Sequence, residues 1–165
     1  IMALILHLQP VDFEKMSLPL EAWILFRLLA SFCGVFGFSV MFNSPVRLAA
    51  VAAGIGAVAN TFRLELVDLT ACPPAAAAFM GALAAGLLAS LIKSRVGYPR
   101  ISVTVPSIVI MVPGLYLYRG FYNLGMMSLS ASASWFASAI LIVAALPLGL
   151  IFARILTDKT FRYCT

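Results

Sequence analysis

The stretch VPSIVIMVPGLYLYRG, residues 105–120, is apolar enough to sit in hydrocarbon and yet carries Pro106, Pro113 and Gly114. Proline has no N–H, so Pro113 cannot donate to the carbonyl of Val109, nor Pro106 to that of Ser102. Gly114 permits backbone angles that other residues avoid. A break at Pro113-Gly114 would leave carbonyls near Ile110, Met111 and Val112, and N–H groups near Leu115, Tyr116 and Leu117. A helix N-terminus attracts a carboxylate, and bare carbonyls attract a cation or an ammonium group. Discontinuous membrane helices build sites for small zwitterions or acids in this way. Three readings stay open on the sequence. One is a broken-helix site, with Pro106, Ser107, Pro113, Gly114 and Tyr116 facing a solute. Another is a plain kink whose bare groups are met by a neighbouring serine or water. The third is a frayed end of the span over 113–120.

Ionisable residues inside a membrane span are costly and mark a pathway by default. Asn60 and Arg63 lie one helical turn apart and share a face. With Glu65 and Asp68 they form a polar end to their span. Arg63 is a candidate partner for a carboxylate, and Arg119, just after the break, is another. Glu65 and Asp68 are candidate proton carriers; the alternative is a solvated helix end. Arg27 lies near the start of its span and is expected to snorkel outward. FNSPVR, 42–47, fits a tight turn in which Pro45 restarts a helix and Arg47 sits at the membrane edge. Tyr116, Tyr118, Tyr122 and Trp135 fit an interfacial aromatic belt.

Other chemistry is poorly supplied. The chain has one histidine, His7, and three cysteines, Cys33, Cys72 and Cys164, with no CxxC spacing. No metal site, catalytic residue or cofactor is expected. No His, Asp or Glu lies deep in a span and Ser107 has no base beside it, so an enzyme is not expected.

These residues must be held by elements that composition identifies. Of 165 residues, 63% are hydrophobic and only 10% charged, against roughly 25% charged in soluble domains. Too few charges are present to cover a globule in water, so most of the surface must face lipid. The fold class is all-α, a polytopic membrane helix bundle. A transmembrane barrel needs alternating ten-residue segments, and the apolar runs are about twice that length. Five runs approach the roughly 20 residues that cross a bilayer. They are 22–42, 46–62, 74–92, 101–118 and 133–153, the fourth broken or kinked at Pro113-Gly114 and the last with Pro147 as a kink. Residues 1–20 read as an interfacial segment, 21–157 as one five-helix transmembrane domain, and 158–165 as a short cytoplasmic tail. The first residues lack a basic n-region, so no cleavable signal is expected.

The net charge of +5 does not point to nucleic acid, because the basic residues lie at the ends of apolar runs. Arg47, Lys93, Arg95, Arg100, Arg154, Lys159 and Arg162 fall on one side, and Lys15, Arg27, Arg63 and Arg119 on the other. The richer side is cytoplasmic by the positive-inside rule, which puts the N-terminus outside and the C-terminus inside. Small residues recur every four positions: Ala78, Ala82, Gly86 and Ser90; Ala77, Gly81, Ala85 and Ala89; Ala52, Gly56 and Asn60; Ser130, Ser134 and Ser138. Such stripes let helices or subunits pack closely in lipid.

GFSVMFNSPVR (37–47), GAVANTFR (56–63) and the Pro-x(6)-Pro-Gly helix with Arg119 after it together resemble the threonine/serine exporter family. The likeness is greatest to its short-subunit, YjjB-like branch and covers roughly residues 20–155. The resemblance implies an inner-membrane exporter of small polar metabolites, amino acids such as threonine and serine or succinate-type organic acids. It also implies a larger partner subunit carrying the other half, or a homo-oligomer. Five spans is an odd number, so two such halves would lie in opposite orientations, the inverted-repeat layout of many secondary transporters. A non-transporting scaffold subunit of a membrane complex is the alternative that the small-residue stripes serve equally well.

Overall fold

A computed structural model describes residues 19–96 and 99–158. These form six helices and no strand: α1 Leu20–Met41, α2 Val46–Thr70, α3 Pro74–Val96, α4 Ile101–Val109, α5 Gly114–Gly125 and α6 Leu129–Thr157. Four of them, α1, α2, α3 and α6, are long and apolar enough to cross a membrane. The pair α4 and α5, bent by 41° at their junction, passes the same test together, for a fifth span where the pair is counted as one. In hydrocarbon only a helix satisfies every backbone group internally, which is why such apolar runs fold this way. Most of the interfacial segment, the tail after Asp158, His7 and Cys164 lie outside the described residues.

The connections follow the turn chemistry of the sequence. Between α1 and α2, Asn43 adopts a left-handed φ of 57°, which asparagine tolerates well. Ser44 N–H donates to the Ser39 carbonyl at 3.1 Å, and Pro45 precedes the first residue of α2 in extended conformation. Pro74 opens α3, where its missing N–H is no loss. α2 runs eight residues beyond the 46–62 expected from hydropathy, and α6 four residues beyond 133–153 at each end. Falling hydropathy ends an apolar run but not a helix whose polar residues find partners. Pro147 does not interrupt α6.

α3 and α6 make the most extensive contact, followed by α1 with α2 and α5 with α6; α2 also packs on α3 and α4. The core is built largely of alanine: Ala52, Ala53, Ala59, Ala78, Ala82 and Ala85 are completely buried. Two of the stripes seat two different helices. A Cβ on Gly149 of α6 would stand 2.5 Å from the Phe79 carbonyl and 2.9 Å from Ala82 Cβ, so α6 rides on the Ala78–Ala82–Gly86 face of α3. Gly81, on the neighbouring face, touches Ala59 and Arg63 of α2. Gly56 of α2 meets Val35 of α1 and the Ser107 backbone of α4. The serine stripe differs: Ser130 and Ser134 are exposed, and the Ser134 and Ser138 hydroxyls donate back to their own helix. It is Ser132, off the stripe, that joins helices, donating to the Gly120 carbonyl of α5 at 2.8 Å.

Candidate functional site

The interruption is real and closely built. α4 ends in tightened turns, Met111 N–H to Ile108 O at 2.9 Å and Val112 N–H to Val109 O at 3.2 Å. Gly114 N–H folds back on Val112 O at 2.8 Å, and α5 then starts, with Leu117 N–H on Pro113 O at 3.1 Å. Pro113 is buried and Gly114 exposed, with open space where a Cβ would be. The bare groups are therefore fewer than the sequence suggested. Val112 O and Leu117 N–H are taken locally, and the N–H groups of Leu115 and Tyr116 are those left without a backbone acceptor among the described residues.

The Met111 carbonyl is met from another helix. Arg63 Nη1 of α2 donates to it at 3.2 Å. Met111 itself is fully buried, and Arg63 Nε is buried with no hydrogen-bond partner among the described residues. A Cβ on Gly81 would lie 3.0 Å from Arg63 Cβ and 3.3 Å from Met111 Sδ, so this glycine makes the room in which guanidinium and break meet. Tyr116, near the start of α5, packs its ring 5.6 Å from that of Trp135. Arg119 stacks over the same indole at 4.9 Å. Such a contact contributes about 0.5–2 kcal/mol and ties α5 to α6.

The other expected site residues are distributed as follows. Pro106 lies within α4 and is buried. Ser107, also buried, donates to Ala52 O of α2 at 3.0 Å and to Val103 O at 2.7 Å, so it fastens α4 to α2. Asn60 is one turn from Arg63 as expected, but it turns to α1, where Nδ2 donates to Ser31 Oγ at 2.9 Å. Among the described residues its Oδ1 is buried without a hydrogen-bond partner, as is Thr61 Oγ1. Glu65 and Asp68 are apart from the break. Glu65 binds Arg27 Nη1 at 2.8 Å, and Asp68 binds Arg27 Nη2, while Arg27 also stacks on Trp23 at 5.2 Å. Arg27 thus does not simply snorkel; it joins α1 to α2 beside a cavity of about 200 Å³ lined by Leu20, Trp23 and Leu69.

One cluster escaped the sequence reading. Arg100, counted there only as a topological charge, is largely buried. Its Nη2 donates to Gly86 O of α3 at 2.6 Å and its Nη1 to Thr157 Oγ1 of α6 at 2.7 Å. Asp158 lies 3.8 Å from Arg100 and 3.7 Å from Arg154. Burial holds the Arg100 guanidinium below its ordinary pKa, with Asp158 acting in the opposite sense. The i,i+4 spacing of Arg154 and Asp158 was the available signal. Among the described residues no His, Cys, Asp or Glu group is arranged to hold a metal.

No curated protein and no solved structure matches this chain. The family model of the threonine/serine exporter, ThrE, matches residues 27–156. The match takes in Arg27, the polar end of α2, the break and nearly all of α6. With four apolar spans and a bent helix pair beside them, the chain is a multi-pass membrane protein and belongs to the threonine/serine exporter (ThrE) family of transporters.

Proposed function

We propose that the chain is one half of a secondary exporter and that its solute is recognised at the α4–α5 break. The observation carrying this reading is Arg63: a guanidinium within a span, one donor on the Met111 carbonyl, its Nε without a hydrogen-bond partner among the described residues. A substrate carboxylate would rest on the Leu115 and Tyr116 N–H groups at the start of α5, aided by Arg63 or by Arg119 released from Trp135. Pro106 and Ser107 belong to the first half-helix, Pro113 and Gly114 keep the second apart, and Tyr116 offers a polar atom beside the break, while Asn60 steadies α2 against α1 one turn from Arg63. Threonine, serine and succinate-type acids all carry the required carboxylate. Glu65 and Asp68 are the proton-coupling groups, since protonating them loosens their hold on Arg27. The partner is a larger subunit with the opposite orientation or a second copy. The cytoplasmic side is that of Arg47, Arg100 and Arg154, which leaves the N-terminus outside the inner membrane.

The test is efflux of labelled threonine, serine and succinate from cells expressing this chain with its partner. Changing Pro113-Gly114 to Ala-Ala is expected to abolish export while the complex still assembles; unchanged efflux refutes the site. Full-rate efflux from proteoliposomes holding the partner alone refutes transport by this chain and favours a scaffold role.

A further inference from the structure

α4 and α6 both pack on α3 but scarcely on each other. The space between them is a groove of about 570 Å³ whose walls include Ile101, Val105, Leu150 and Ile151. At its mouth stand Arg100, Arg154 and Asp158. We propose that this groove binds one anionic phospholipid, an acyl chain lying between α4 and α6 and the headgroup phosphate held by the two arginines.

Three features select that occupant. The walls are apolar and lie at the end of two membrane spans, so what fills them must be a hydrocarbon tail rather than a soluble solute. Among the described residues two guanidiniums and one carboxylate line the groove, and basic pockets between membrane helices take anionic headgroups. The two arginines also differ in role. Arg100, 13% exposed, is anchored on Gly86 and Thr157. Arg154 is 57% exposed, lies 3.7 Å from Asp158 and lines the same groove. Guanidinium suits phosphate because it presents planar paired donors. A bound lipid would then add an apolar contact between α4 and α6 to the polar one that Arg100 already makes with Thr157.

The experiment is native mass spectrometry of the purified chain in detergent, titrated with dioleoylphosphatidylglycerol or dioleoylphosphatidylcholine. The anionic lipid is expected to form a one-to-one adduct at lower concentration than the zwitterionic one. Arg154→Ala is expected to cut that preference by about fivefold, since one basic side chain near an anionic surface contributes about 1 kcal/mol. Ile151→Trp, which fills the groove from an exposed wall position, is expected to remove the one-to-one adduct of both lipids. Circular dichroism of each variant shows whether the helices persist. Equal binding of the two lipids, or an Arg154→Ala variant with undiminished preference, overturns the proposal. Full displacement of the lipid by inorganic phosphate also overturns it, because the site would then recognise a soluble anion.

Discussion

Gly54 and Gly56 lie two residues apart on α2, and the structure predicts opposite outcomes for the same substitution. A Cβ added at Gly54 meets nothing within 4 Å. Gly54→Ala should therefore stabilise the chain by up to about 1 kcal/mol, the helix-propensity difference between the two residues. A Cβ at Gly56 would stand 2.7 Å from Val35 Cγ2, 2.8 Å from the Ser107 carbonyl oxygen and 3.2 Å from Ser107 Cα. Val35 can shift, but two of those three atoms are backbone of α4, held by the Ser107 hydroxyl on Ala52 O. Overpacking of this kind costs about 1–3 kcal/mol, which outweighs the propensity gain. Gly56→Ala should fall about 2 kcal/mol below Gly54→Ala. Thermal unfolding of the detergent-solubilised protein, followed by the loss of the monodisperse peak, compares the two. Adding Val35→Ala to Gly56→Ala should recover only part of the loss, because the Ser107 oxygen remains in the way. Gly56→Ala as stable as Gly54→Ala, or full rescue by Val35→Ala, would refute the close approach of α2 and α4.

Three further outcomes follow from single contacts. Ser107→Ala should lower stability by about 0.6 kcal/mol, the average for interhelical bonds in lipid, and by no more than about 1.7, and an unchanged melting temperature would contradict the α2–α4 link. Arg27→Gln removes the cation that both Glu65 and Asp68 bind, so it should destabilise the α1–α2 pair, and Glu65→Gln combined with it should restore part of the loss. Equal melting of the single and double variants would refute that coupling. Arg100→Ala removes charged donors from Gly86 O and Thr157; at about 1.5–3 kcal/mol for a hydrogen bond to a charged group, it should cost more than Ser107→Ala in the same thermal assay.

Much of the architecture was legible from local chemistry. Apolar run lengths gave five spans, the FNSPVR turn gave the α1–α2 hairpin, and Pro113-Gly114 marked a break that the backbone confirms. The small-residue stripes on α2 and α3 marked buried faces, because only residues of that size let backbones approach so closely. The serine stripe on α6 had the same spacing and lies outward, since periodicity identifies a face and not what covers it. Partners across helices were harder to read. Hydropathy ended α2 at its polar residues, whereas Arg27 supplies the cation that lets the helix continue to Thr70. Ser31–Asn60 and Arg27–Glu65 are successive rungs of an antiparallel pair, a register that composition alone does not reveal. The bare groups at the break were overcounted because a tight turn recaptures Val112 O and Leu117 N–H.

The Arg63–Met111 contact makes two liabilities interdependent. A guanidinium at that depth is a stranded charge unless something oxygen-bearing waits for it, and a severed helix is a stranded dipole unless something positive arrives. Each excuses the other, so repairing the helix alone would leave a cation adrift among alanines, and deleting the cation alone would expose a carbonyl to oil. Variants that alter both together should be gentler on the folded chain than either change made singly.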